Sequence, residues 1–293
     1  MNTYHQLPKS NPLTTFMRQP KIYIRLPSNG MYWPDRSIII PENGEIPVFS
    51  MTAKDELAFK TPDALMNGQA VVDVIQSCLP NIKDAWKCPN IDLDAILIAI
   101  RIATYGEMMD ISHLVPVINE EVTHQIDLRM LLDQLVNISK WDETVNIDEN
   151  LTCFIRPLNY KHITLTSIKT FETQRLMQAV NDDTLTDEKK LEIFNKSFTS
   201  MTDITLNLIV DSIEAIKTPE IIVEDKQFIR EFLQNADTSI YQKIQEHITN
   251  QKQISGIKPM LITSTPEQVE AGAPATYELP ISIDNSDFFA RGS

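Results

Sequence analysis

The chain has 293 residues and a formal net charge of −14. Apolar residues make up 42% and charged residues 23%, a balance that supports a buried core and excludes a disordered chain. The acidity argues against a nucleic-acid surface, which needs clustered Lys and Arg, and favours solubility and basic protein partners.

No run approaches the roughly 18 apolar residues of a membrane span. The stretch from Asp92 to Tyr105 is too short and carries Arg101. The opening MNTYHQLPKSNPL has no charged region followed by an apolar core, so no secretory signal is expected. Three cysteines, Cys78, Cys88 and Cys153, are too few and too odd for a disulfide framework. Buried free thiols in a reducing compartment are expected.

Residues 1–21 read as an extended arm with Pro8, Pro12 and Pro20. Phe16 and Met17 stand alone in it, either packed on their own domain or docked on a neighbouring subunit. IYIRL, RSIII and IPVFSM then read as short antiparallel strands. Thr52 and Asp55 resemble a capping box for a helix, AKDELAF. Pro62 opens a second short helix, PDALMN, and QAVVDVIQSCL forms a third that Pro80 ends. Asp92 caps the next, LDAILIAIRIATY, which is apolar almost all round and therefore buried. Gly106 ends it.

Residues 110–126 form a hairpin turning at Asn119–Glu121, and Asp127 caps a helix through LRMLLDQLV. The polar segment 137–150 reads as a loop, and LTCFIRP and HITLTSI as strands. A helix over TSIKTFETQRLMQAV, a turn at Asn181–Thr184 and a long helix from Thr186 to Ile216 follow. Along that helix Leu191, Phe194, Phe198, Met201, Leu208 and Ile216 form a stripe, with Thr205 and Ser212 in its gaps. TPEIIVED is a short strand, and Asp225 and Asp237 cap two more helices. Residues 255–280, with Pro259, Pro266, Pro274 and Pro280, read as an irregular strap. Beyond it Phe288 and Phe289 either fold back on the core or anchor the tail on a partner.

Chemical motifs are scarce. With seven glycines in the chain there is neither a G-x-G-x-x-G nor a P-loop, and no G-x-S-x-G or H-E-x-x-H occurs. His113 and His124 flank the hairpin, with Cys153 and His162 beyond, but no usual zinc spacing appears. Cys78 and Cys88 read as two thiols near Trp86. The pairs Glu120-Glu121, Asp142-Glu143 and Asp182-Asp183 sit in polar turns and read as solvated surface. No catalytic, cofactor or metal residue is assigned.

Several stretches resemble the T4-type bacteriophage baseplate hub proteins. LPSNGMYWP, then GEIPVFSMTAKDELAFKTPDALMNGQAVVDVIQSCLPNI, and DLDAILIAIRIATYGE are close to that family's N-terminal signature. VEDKQFIREFLQNADTSIYQKIQEHI and PISIDNSDFFARGS extend the likeness, which covers most of residues 22–289. It implies a structural component of a contractile tail, assembled in the host cytoplasm, without catalysis or cofactor. Many relatives carry a cysteine pair where this chain has Leu114–Glu121, and some a second pair where it has Thr263–Gly272. Lacking both, the hairpin must rest on packing, with Val115, Val117 and Ile126 as candidates.

The expected fold is α+β: small antiparallel β elements with a buried central helix, then a mainly helical half, with extended terminal arms. The boundaries read as an arm over 1–21, a mixed unit over 22–150, a helical unit over 151–254 and a strap over 255–293. The expected partners are other tail and baseplate subunits, in multiple copies within a symmetric assembly, with Phe16, Met17, Phe288 and Phe289 as candidate contacts. An assembly chaperone absent from the finished particle is the first alternative. An unrecognised hydrolase or metalloenzyme is the second.

Overall fold

The computed structural model describes residues 13, 16–59, 68–137, 140–179, 186–281, 283, 288 and 289. Strand β1 (Pro20–Ile24) pairs antiparallel with β2 (Ile46–Phe49), Ile24 lying opposite Ile46. The predicted strand RSIII is not formed, and only Ile38 makes a bridge, to Ile82. Its backbone is directed elsewhere. Arg36 has φ 65°, Ile39 N donates to Asn81 O at 2.9 Å, and Ser37 O accepts from Lys83 N at 2.7 Å.

Helix α1 (Ala53–Phe59) opens on the predicted capping box. Thr52 N donates to Asp55 Oδ2 at 2.8 Å and Asp55 N to Thr52 Oγ1 at 3.3 Å. The predicted helix PDALMN lies outside the described residues. Helix α2 (Gln69–Cys78) starts after Gly68, whose φ is 77°. A Cβ there would also meet Thr164 Cγ2 at 2.9 Å, so both conformation and space demand glycine.

Helix α3 (Asn90–Tyr105) is the predicted central helix, with 11 of its 16 residues buried. It begins earlier than expected, capped by Pro89 rather than Asp92. Asp92 faces inward instead. It accepts hydrogen bonds from Ser28 N at 2.8 Å, Ser28 Oγ at 2.5 Å and Trp33 Nε1 at 2.8 Å. Strands β3 (Met108–Leu114) and β4 (Glu121–Asp127) form the predicted hairpin, and Asp127 caps α4 (Leu128–Val136) as expected, accepting from Arg129 N at 2.8 Å. The first core gathers β1, β2, α1, α2 and α4 around α3.

A second core lies on a four-stranded antiparallel sheet in the order β5 (Thr144–Asn146), β6 (Thr152–Ile155), β7 (Ile213–Lys217), β8 (Ile222–Val223). Strand β5 falls in the segment read as loop, because Trp141, Val145 and Ile147 are core residues there. Between the adjacent strands β6 and β7 the chain inserts a helical hairpin, α5 (Tyr160–Ala179) and α6 (Asp187–Ser212). The predicted strand HITLTSI is helical, within α5. Tertiary contacts override its β-branched residues. Tyr160 N donates to Cys88 O at 2.8 Å, its ring stacks on Trp86 at 5.7 Å, and Asn159 Oδ1 accepts from His162 N at 3.1 Å. The turn expected at 181–184 lies outside the described residues. Helix α6 stops at Ser212, not Ile216. The next residues form a central strand, with Ile213, Ala215 and Ile216 buried between neighbours.

Helices α7 (Lys226–Asn235) and α8 (Thr238–Ser255) carry the predicted caps, Asp225 accepting from Gln227 N at 2.7 Å and Asp237 from Ser239 N at 3.0 Å. The predicted strap is a folded hairpin: β9 (Met260–Thr263), α9 (Pro266–Glu270) and β10 (Thr276–Leu279), with Met260 opposite Leu279. Its prolines are compatible with this order. Pro259 and Pro280 flank the strands, and Pro266 opens α9 behind a Thr265–Gln268 capping box. Val115 packs with Ile262, Ala273, Tyr277 and Leu279 in a third small cluster. Of the three expected packing residues, Val115 and Ile126 are buried, while Val117 has φ 74° and is 75% exposed.

Asp94 on α3 is partly buried, and desolvation lifts its carboxyl from 3.8 to about 6. The folded chain therefore holds that proton more tightly than the unfolded chain. Stability from this group is complete below about pH 4 and is lost as pH rises through about 6. Asp94→Asn is expected to raise the unfolding free energy by about 1–2 kcal/mol at about pH 7 and to change little at about pH 3. Urea denaturation at both values checks this, and an equal gain at both would remove the carboxylate from the explanation.

Candidate partner interface

Arg18 holds the start of the described arm. Its guanidinium donates to Ser50 O, to Ser77 O at 2.6 Å and to Ser77 Oγ at 2.8 Å, and lies 3.6 Å from Asp55. The residues just before it face solvent: Phe16 is 83% exposed and Met17 52%. An anchored arginine thus presents two apolar side chains that the described chain does not cover.

Phe288 and Phe289 have the opposite placement. They are 3% and 6% exposed, packed in the first core. Phe289 stacks on Phe59 of α1 at 4.5 Å, and Phe288 meets it edge-on at 5.1 Å. The Arg101 guanidinium of α3 donates to Phe288 O and lies 5.3 Å from that residue's ring centroid. Of the two placements expected from the sequence, the described residues show the pair folded back on the core. It folds back, because Arg101 buried in an apolar helix needs an acceptor and the tail supplies one.

A larger uncovered surface lies on α6. Leu191, Phe194 and Phe198 are 62%, 47% and 64% exposed. Helix α5 packs on a different face of α6, where Ser197 and Ile204 are buried and Thr173 Oγ1 lies 3.2 Å from Ser200 Oγ. Further along, α6, α7 and α8 leave an open groove of about 550 Å³, lined by Phe198, Met201, Leu206, Leu233 and Tyr241 among others. The sequence showed the stripe; its exposure depends on where α5 packs.

Of the candidates for a mixed Cys/His site, His113 and His124 meet, while Cys153 and His162 lie on other elements. His113 and His124 stack at 5.1 Å on the hairpin, and His113 Nε2 lies 2.7 Å from Tyr277 Oη. Cys153 belongs to β6 and His162 to α5. Among the described residues no three His, Cys, Asp or Glu side chains converge as a metal site. All three cysteines are free and buried. Burial pushes the thiol of Cys78 up to about 12 and that of Cys153 to about 11, and raises Cys88 as well. None is a thiolate nucleophile at neutral pH. Glu120 and Glu121 are exposed, Asp142 is exposed with Glu143 partly so, and Asp182-Asp183 lies outside the described residues. No described helix is long and apolar enough to cross a membrane.

These features define a mixed α+β chain that hides its thiols and its aromatic tail and shows apolar side chains on an arm and on one long helix. The family described as T4 bacteriophage base plate protein matches residues 34–261. The chain belongs to that family. Searches of curated proteins and of solved structures found no match.

Phe288→Ala and Phe289→Ala are each expected to lower stability by about 3–5 kcal/mol, the cost of truncating a core aromatic. Chemical denaturation of the isolated chain measures it. Unchanged midpoints together with weakened assembly would return the pair to a partner contact.

Proposed function

We propose that the chain is a structural subunit at or near the hub of a contractile-tail baseplate, working through contacts with neighbouring subunits and without catalysis. The match to the baseplate family over residues 34–261 carries this reading. The uncovered apolar side chains support it, since buried aromatics dominate binding energy at subunit contacts. In this reading Phe16 and Met17 dock on an adjacent tail or baseplate protein, in an assembly holding several copies built in the host cytoplasm. The net charge of −14 directs it toward protein rather than nucleic-acid neighbours.

An assembly chaperone of the same baseplate is the second reading, favoured by the same exposed surface if its contacts are temporary. Mass spectrometry of purified virions separates the two. The structural reading expects the chain in mature particles at fixed stoichiometry, and its absence there would transfer the role to the chaperone. Phe16→Ala/Met17→Ala is expected to leave unfolding within about 0.5 kcal/mol of the parent, as exposed substitutions do, while lowering incorporation into baseplates. Normal incorporation of that variant would remove the arm from the interface.

A further inference from the structure

The hairpin β9–α9–β10 is attached by side chains alone. Strands β9 and β10 pair with each other and not with β3 or β4, and among the described residues no backbone hydrogen bond joins the two hairpins. What holds them is the Val115 cluster, the exposed Gln268–Glu120 hydrogen bond and the contact of His113 with Tyr277. An attachment this small is sensitive to one buried charge without a partner.

Such a charge arises when His113 takes up a proton. On β3 the inward side chains are Met109, Ile111 and His113, and β4 turns Val122, His124 and Ile126 the same way. The rings of His113 and His124 stack with centroids 5.1 Å apart. His113 Nε2 lies 2.7 Å from Tyr277 Oη, while Nδ1 is buried with no hydrogen-bond partner among the described residues. A neutral imidazole suits these surroundings, with Nε2 donating to the tyrosine and Nδ1 carrying no hydrogen. A charged one does not. It puts an N–H at Nδ1 where nothing accepts it, beside a second imidazole that acid also charges. Burial, and then the neighbouring His124, accordingly hold His113 below the ordinary 6.5.

No carboxylate among the described residues offsets that charge. From β4 the face presents His124, from β10 Tyr277, and β9 carries no titratable residue. Asp110, Glu121 and Glu278 hold outward strand positions and are exposed. Glu120 accepts from Gln268, Asp127 caps α4 and Glu107 pairs with Arg129. Glu267 and Glu270 of α9 are exposed. His113 therefore binds its proton less tightly in the docked arrangement than in an undocked one. Its support for docking is complete above about pH 6.5 and is lost as pH falls below that. Asp94 acts the other way on the first core over the same range, so the two effects are separable.

We propose that the β9–α9–β10 hairpin is an acid-released strap, docked by an uncharged His113 and freed when His113 and His124 both carry a proton. The inference does not depend on the baseplate reading and is tested on the purified full chain. A two-stranded hairpin is marginal alone, so undocking exposes its amides. Hydrogen exchange read by mass spectrometry at about pH 7.5 and about pH 5, corrected for intrinsic exchange, follows them. The segment Met260–Leu279 is expected to lose about fivefold in protection at the lower pH, while α3 keeps its own. His113→Gln cannot charge and keeps a polar group toward Tyr277, so its strap is expected to stay protected at both values. His124→Gln removes the repelling neighbour and is expected to reduce the loss. Equal protection of the parent strap at both values, a loss shared equally by α3, or a His113→Gln chain as acid-sensitive as the parent would overturn the proposal.

Discussion

Helix α3 has almost no wet face, and the rest of the fold follows from that. Its isoleucines and Leu97 are buried, so cover must come from several directions at once. The β1–β2 ribbon, α2 and α4 supply most of it, and Phe288 and Phe289 join the same core from far along the chain. The two polar groups that α3 takes inside are each answered from a distant segment. Asp92 collects donors from Ser28 and Trp33, and Arg101 donates to the carbonyl of Phe288. Buried charge of this kind adds less to net stability than to uniqueness of fit, since a misplaced partner leaves a costly orphan.

Much of this was legible in the sequence, for identifiable reasons. Local rules worked where local chemistry decides. The Thr52–Asp55 box and the caps at Asp127, Asp225 and Asp237 each depend on a side chain reaching an amide two or three residues away. The misses arose where distant contacts decide. The β-branched run after Tyr160 is helical because Cys88 and Trp86 fix its first turn. The proline-rich segment after Ser255 folds because its prolines sit at element ends or in a connecting loop, a distinction composition does not make. On α6 the period of the stripe was visible, yet periodicity identifies a face without saying what covers it.

The third cluster shows how apolar packing joins two hairpins that lie far apart in the chain. Two stretches without cysteine, Leu114–Glu121 and Thr263–Gly272, meet at it. The structure brings those two stretches together: Gln268 Nε2 donates to Glu120 Oε2 at 3.1 Å. Fully buried Val115 stands between them with Ile262, Ala273, Tyr277 and Leu279, and the contact of His113 with Tyr277 closes one side. Apolar burial contributes about 25 cal/mol per Å², so a cluster of this size can hold two hairpins together, though not a domain.

The insertion of α5 and α6 between the paired strands β6 and β7 carries an apolar helix face away from the core. Cys153 stays opposite Ile216 although the whole helical hairpin intervenes in the chain. The strands therefore fix only the base of the hairpin, where Ile209 and Val210 enter the second core. Phe194 and Leu191, about four and five turns further out, rest on no strand. An apolar side chain there adds little to folding, because the free chain leaves it in water. Its burial is available instead to association, where the free energy it supplies does not compete with the core.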